Sequence, residues 1–68
     1  MDDGKRMSVG LVAPAKTELE WLASHLGLSQ VDVINRALQI YGYVERQRAV
    51  GGEVLIRHNG ETEKIHII

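Results

Sequence analysis

The segment Arg6-Met7-Ser8-Val9-Gly10-Leu11-Val12 alternates in character, with Met7, Val9 and Leu11 on one side and Arg6, Ser8 and Gly10 on the other. A period of two marks a strand with one buried face. No second strand follows at hairpin distance, because Pro14 and a helical pattern come next. A lone strand leaves a row of backbone donors and acceptors without partners. The simplest partner is the same segment of a second copy. The rest of the chain points the same way. It has 68 residues and no cysteine, so it is at most one domain and carries no disulfide. A domain this short buries only about 60% of the surface its unfolded chain exposes. Oligomerisation is then the common route to a sufficient core. Hydrophobic residues make up 44% of the chain, enough to build a shared one.

Two helices are expected after the strand. Pro14 suits a first helical position, where its missing N–H is not needed. Glu18 and Glu20 are expected early in the helix, where carboxylates favour its dipole. Leu19, Leu22, Ala23 and Leu26 recur at helical spacing and make one apolar stripe. Gly27 fits a left-handed C-terminal cap. Ser29 then reads as the N-cap of a second helix, with Ser29-Gln30-Val31-Asp32 approximating a capping box. Ile34, Ala37, Leu38 and Tyr41 form its stripe, and Val33, Ile40 and Val44 widen it. The helix is expected to run to about Arg48, with Gly51-Gly52 ending the pattern.

The tail returns to a period of two. Val54-Leu55-Ile56-Arg57 and Ile65-His66-Ile67-Ile68 flank His58-Asn59-Gly60-Glu61. Asn-Gly is the strongest short hairpin signal, since both turn residues must accept positive φ. A two-residue turn sets Arg57 opposite Thr62 and Val54 opposite Ile65. Val54 and Ile65 then share one face, with Glu53, Arg57, Thr62 and Lys64 on the other. The expected order is strand, helix, helix, hairpin: an α+β chain with residues 1–50 as one unit and 51–68 as an appended β-hairpin. Trp21 lies off the first helical stripe; packing of Val54, Ile56 and Ile65 over it, or extension of the dimer, is the expected use of that ring, and anchoring of a protein partner is the alternative.

Several function classes have little support. There is no cysteine, no Gly-rich phosphate loop and no Ser-His-Asp grouping that can be placed in one pocket. A chain this short lacks room for an enclosed site. No enzyme activity and no cofactor are expected. His25, His58 and His66 do not suggest a metal site, because His58 and His66 fall on opposite faces of the expected hairpin. His25, near the end of the first helix, is placed to meet its dipole. The longest apolar runs fall far short of the roughly 20 residues of a membrane span. The N-terminus carries no signal-peptide pattern, so a cytoplasmic protein is expected. The formal net charge is −1, without the basic excess common in nucleic-acid binders. The charge is nevertheless uneven: Lys5 and Arg6 open the strand, while most carboxylates lie elsewhere.

From Lys5 to Tyr41 the chain resembles the ribbon-helix-helix proteins, the group of the Arc, methionine and plasmid copy-number repressors. The resemblance covers about half the sequence. Four parts carry it in order: Lys5-Arg6-Met7-Ser8-Val9-Gly10-Leu11; Leu19-x-x-Leu22-Ala23-x-x-Leu26-Gly27-Leu28-Ser29; Val33-Ile34; and Arg36-Ala37-Leu38. It implies a homodimer in which two strands, one per subunit, pair antiparallel and enter the DNA major groove. Arg6, Ser8 and Gly10 would then face base edges. Lys5 and the N-terminal turn at Ser29, Gln30 and Val31 would meet phosphates. Met7, Val9, Leu11, Leu19, Leu22, Leu26, Ile34, Ala37, Leu38 and Tyr41 would form the dimer core. Three positions depart from the pattern. Gly10 has no side chain where a polar reader is common, Gln30 stands where a basic residue is common, and Asp32 puts a carboxylate near the phosphate clamp.

The resemblance implies a sequence-specific transcriptional regulator, read as a repressor of bacterial, plasmid or phage type, with double-stranded DNA and a second copy of itself as partners. The alternative is a protein-interaction module, antitoxin-like or a phage adaptor. In that reading the same unit dimerises and the C-terminal hairpin captures a protein, as sheet edges can.

Overall fold

A computed structural model describes residues 8–66 and contains helix α1 (Ala13–Leu26), helix α2 (Gln30–Ala49), and strands β1 (Leu55–His58) and β2 (Glu61–Lys64). The α+β class expected from the sequence is therefore present. The chain divides into two compact units, Met1–Val33 and Ile34–Ile68, and the division falls within α2.

In the first unit, Ser8 to Val12 runs without regular secondary structure into α1. Val12 is extended, at φ −71° and ψ 158°, and offers no side-chain cap. Its carbonyl accepts the Lys16 N–H at 3.0 Å. Helix α1 begins one residue earlier than Pro14 suggests, since Ala13 already takes helical geometry. The dipole benefit expected of Glu18 and Glu20 is not obtained, because no acidic residue lies in the first turn of α1 and the effect falls off beyond it. Thr17 instead turns its hydroxyl back onto the Ala13 carbonyl at 3.1 Å, a bond open to Thr within a helix. Gly27 ends α1 as expected, in left-handed geometry at φ 67° and ψ 35°. The N–H groups of Gly27 and Leu28 both turn back to the Ala23 carbonyl, so the closing turn is bonded within the chain. Leu19 and Val33 are the buried hydrophobic residues among those described.

In the second unit, α2 runs through to Ala49 and closes in a Schellman motif. The Gly52 N–H donates to the Gln47 carbonyl at 2.8 Å and the Gly51 N–H to the Arg48 carbonyl at 3.1 Å. Gly51 takes the left-handed position at φ 91°, where glycine pays no Cβ penalty. An ion pair between Arg48 and Glu45 lies along the last turns.

The hairpin follows the register read from Asn-Gly. Arg57 pairs with Thr62, His58 with Glu61, Ile56 with Glu63 and Leu55 with Lys64. Asn59 and Gly60 take φ of 52° and 80°, as a type I′ turn requires. The Ile65 N–H donates to the Val54 carbonyl at 2.8 Å, which extends the pairing one step beyond the strands. Val54 and Ile65 are half-buried, whereas every residue of β1 and β2 is exposed. Lys64 and Glu53 form an ion pair at 3.1 Å.

The α2 stop can be tested directly. A Cβ added at Gly52 would stand 2.8 Å from the Gln47 carbonyl oxygen and 3.2 Å from its carbon. Both are backbone atoms that cannot swing aside. Gly52→Ala is expected to lower stability by about 1–3 kcal/mol, the range for steric and backbone faults. Urea unfolding would read it. An unchanged midpoint would mean that the α2–hairpin junction contributes nothing to the cooperative fold.

Candidate nucleic-acid interface

The residues expected to meet DNA fall in two places, and the structure describes them unequally. Lys5, Arg6 and Met7 lie outside the described residues. Ser8, Val9, Gly10, Leu11 and Val12 are all exposed. Among the described residues, nothing stands within 4 Å of the position a Gly10 Cβ would take, and Gly10 does not need positive φ. The described part of the chain therefore gives no steric reason for glycine at this position.

The second place is the start of α2. Ser29 caps it: its Oγ accepts the Asp32 N–H at 3.1 Å. The Val33 N–H bonds to the Ser29 carbonyl, also at 3.1 Å. Helix geometry leaves the N–H groups of the first turn pointing outward. Those of Gln30 and Val31 are the donors that neither of these bonds uses. Both residues are exposed. Asp32 is also exposed and lies in the same turn. Its carboxylate complements the positive end of the helix dipole, and it would compete with an incoming anion for the same field. Ser29 thus caps α2 as expected, and Gln30, Val31 and Asp32 lie exposed in the turn it opens.

The expected dimer-core residues differ widely in burial within one chain. Leu19 is buried, and Leu22 and Ile34 are half-buried. Leu26 is 53% exposed, Leu38 64% and Tyr41 46%, and Ala37 is exposed too. Val33, which the stripe treats as a flank, is the most buried hydrophobic residue.

Trp21 is 57% exposed. Its ring lies flat against His25, with centroids 4.6 Å apart and planes 10° from parallel. The spacing of four residues puts both rings on one helical face. That spacing is visible in the sequence and could have suggested the stack. Among the described residues, no group of three or more His, Asp or Glu side chains could hold a metal ion. No described helix is long and apolar enough to cross a membrane. No protein-family model, curated protein or solved structure matches the chain.

The cap at Ser29 sets a stability expectation that needs no ligand. Ser29→Ala should cost about 0.5–2 kcal/mol, and Ser29→Asn should recover most of it, since Asn caps as well as Ser. Thermal unfolding of the three chains would show it. If the Ala and Asn variants melt together, the Ser29–Asp32 bond does not hold the start of α2.

Proposed function

We propose that the chain is a homodimeric, sequence-specific DNA-binding regulator that reads the major groove with a ribbon made of two copies of the Arg6–Val12 segment. The observation that carries this reading is the state of Val9 and Leu11. They keep the alternation of a half-buried strand, yet they are exposed, and no strand among the described residues pairs with their segment. A second copy supplies both missing elements, a strand to bond and an apolar face to cover. Arg6 and Ser8 then face the base edges. An Arg bidentate to guanine contributes about 1–3 kcal/mol of discrimination. Gly10 lets the ribbon backbone approach closely. The outward N–H groups of Gln30 and Val31, with Ser29, hold a phosphate and fix the register.

The uncovered helix stripes support the dimer. Burying what remains exposed of Leu26, Leu38 and Tyr41 would contribute about 1–2 kcal/mol per side chain. Summed over two subunits, that is of the same order as the roughly 4–15 kcal/mol that association costs. The dimer is therefore expected to be stable only above a threshold concentration. The melting temperature should rise with protein concentration, and a melting temperature constant over a hundredfold dilution would count against a folded dimer as the working state.

The DNA reading is tested by selection from a pool of random duplexes, with the native chain and Arg6→Ala compared at two salt concentrations. The native chain should enrich a palindromic motif. Its binding should weaken as salt rises, because neutralised phosphates release counterions. Arg6→Ala should lose the motif. A folded dimer that enriches nothing at low salt would end this reading.

One observation favours a second reading, in which the chain is a protein-interaction module. The hairpin is formed within the chain, and Leu55 and Ile56 on β1 are each 53% exposed. Loss of protein capture with retention of DNA binding, after truncation at Gly51, would separate the two roles.

A further inference from the structure

The hairpin ends in two strand edges, and these are chemically unlike. In an antiparallel pair, residues alternate between those bonded across to the partner strand and those whose N–H and C=O point away. The bond from the Ile65 N–H to the Val54 carbonyl fixes the phase. With the observed register, Val54, Ile56 and His58 face β2 with their backbone groups, as Ile65, Glu63 and Glu61 face β1. Leu55 and Arg57 therefore turn their N–H and C=O outward from β1, and Thr62 and Lys64 do so from β2. Among the described residues the sheet has these two strands only.

The β2 edge repels its own copy in each register that this alternation permits around its residues. A two-fold axis at Glu63 sets Glu63 against Glu63 of the second copy. An axis at Thr62 sets Glu61 against Glu63, and an axis at Lys64 sets Lys64 against Lys64. Like charges directly opposite are destabilising, and charged side chains on an edge are a known guard against pairing.

The β1 edge has a register without that conflict. With a two-fold axis at Leu55, Leu55 meets Leu55 of the second copy, Val54 meets Ile56, and Glu53 meets Arg57. The last two pairings occur twice each by symmetry. Two opposite-charge pairs and two apolar pairs then flank an apolar centre. Glu53 already holds Lys64 at 3.1 Å on the same face, so Arg57 of the second copy would join an existing ion pair. The half-buried Val54 and Ile65 would continue into Ile56 of the second copy as one apolar face.

We infer that β1 is an interaction edge whose partner is a second copy of this chain, joined through Leu55 into a four-stranded sheet ordered β2-β1-β1-β2. The contact is separate from the Arg6–Val12 ribbon. Where both form, hairpin pairing links ribbon dimers into larger assemblies.

Charge exchange in the full chain tests it, with mass followed by sedimentation equilibrium over a range of concentrations. Arg57→Glu and Glu53→Arg should each weaken one association step at least tenfold, because each sets like charges across the two-fold axis. The double exchange Glu53→Arg with Arg57→Glu should restore it. The two positions are too far apart along one strand to compensate within a chain, so rescue reports a contact between copies. The chain has no cysteine, so Leu55→Cys would provide a unique thiol on the axis. Facing residues of a hydrogen-bonded pair have Cα atoms about 5.5 Å apart, within disulfide range. Leu55→Cys should cross-link to itself under mild oxidation, and Thr62→Cys on the outer edge of β2 should not. Equal association in the native chain and all three charge variants, a double variant as weak as the singles, or equal cross-linking from both positions would overturn the inference. In that event the edge would be open to a strand of another protein. Arg57→Glu should leave any selected DNA motif unchanged, and Arg6→Ala should leave the hairpin step unchanged, so the two proposals stand or fall separately.

Discussion

Backbone hydrogen bonding divides this chain into parts that complete themselves and parts that do not. A helix satisfies its interior within one segment and needs help only at its ends. Here that help is local: Ser29 at the start of α2, Gly27 after α1, and Gly51 with Gly52 after α2. A hairpin satisfies one side of each strand, and Asn59-Gly60 supplies a turn whose twist suits the two strands it joins. The segment from Ser8 to Val12 has neither solution among the described residues. A stretch with apolar alternation and no bonded neighbour is an incomplete element, and the exposed apolar stripes of the helices are incomplete in the same sense. Leu26, Leu38 and Tyr41 are spaced as core residues yet remain largely exposed. The proposed second copy would account for both.

This division also explains what could be read from the sequence. Elements closed by local chemistry were legible nearly to the residue: the Gly27 cap, the Ser29 cap, the end of α2 and the hairpin register. Each depends on residues within a few positions of one another, so residue type carries the information. The errors arose where a weak local signal had to choose among neighbours. Proline fits any of the first few positions of a helix, so Pro14 did not fix the start of α1 at itself, and Ala13 precedes it. Glu18 and Glu20 lie early in α1 but beyond its first turn, where the dipole's pull on a carboxylate has already faded. Trp21 was harder, because where an off-stripe ring packs depends on tertiary contacts that periodicity does not encode. Its stack on His25 is local. The same limit applies to Val33. It was read as a flank of its stripe and is the most buried hydrophobic residue.

The electrostatics of the proposed DNA surface follow from small numbers of charges. With a formal net charge of −1, the chain cannot rely on a general positive field to attract DNA. On the proposed reading, attraction would come from two sets of local groups: Lys5 with Arg6, and the oriented N–H groups at the start of α2. Asp32 works against the second of these. It also supports the helix through its dipole, so its effects on stability and on phosphate affinity oppose each other. A surface built this way favours short-range recognition over long-range steering. Its affinity would rest on correct seating, which a two-fold ribbon and two symmetric helix ends supply together.

The two proposed contacts between copies make different physical demands. Ribbon pairing would give a bonded partner to a segment that has none among the described residues, so it can be coupled to folding. Hairpin pairing joins elements that each chain has already bonded internally, so it adds a contact without completing a fold. It costs less ordering entropy and has less surface to gain. The first contact should therefore set whether the chain folds, and the second should adjust how folded units assemble. On DNA the second gains in importance. Dimers held on neighbouring sites are at high effective concentration, so an edge contact too weak to persist free in solution can still couple their binding.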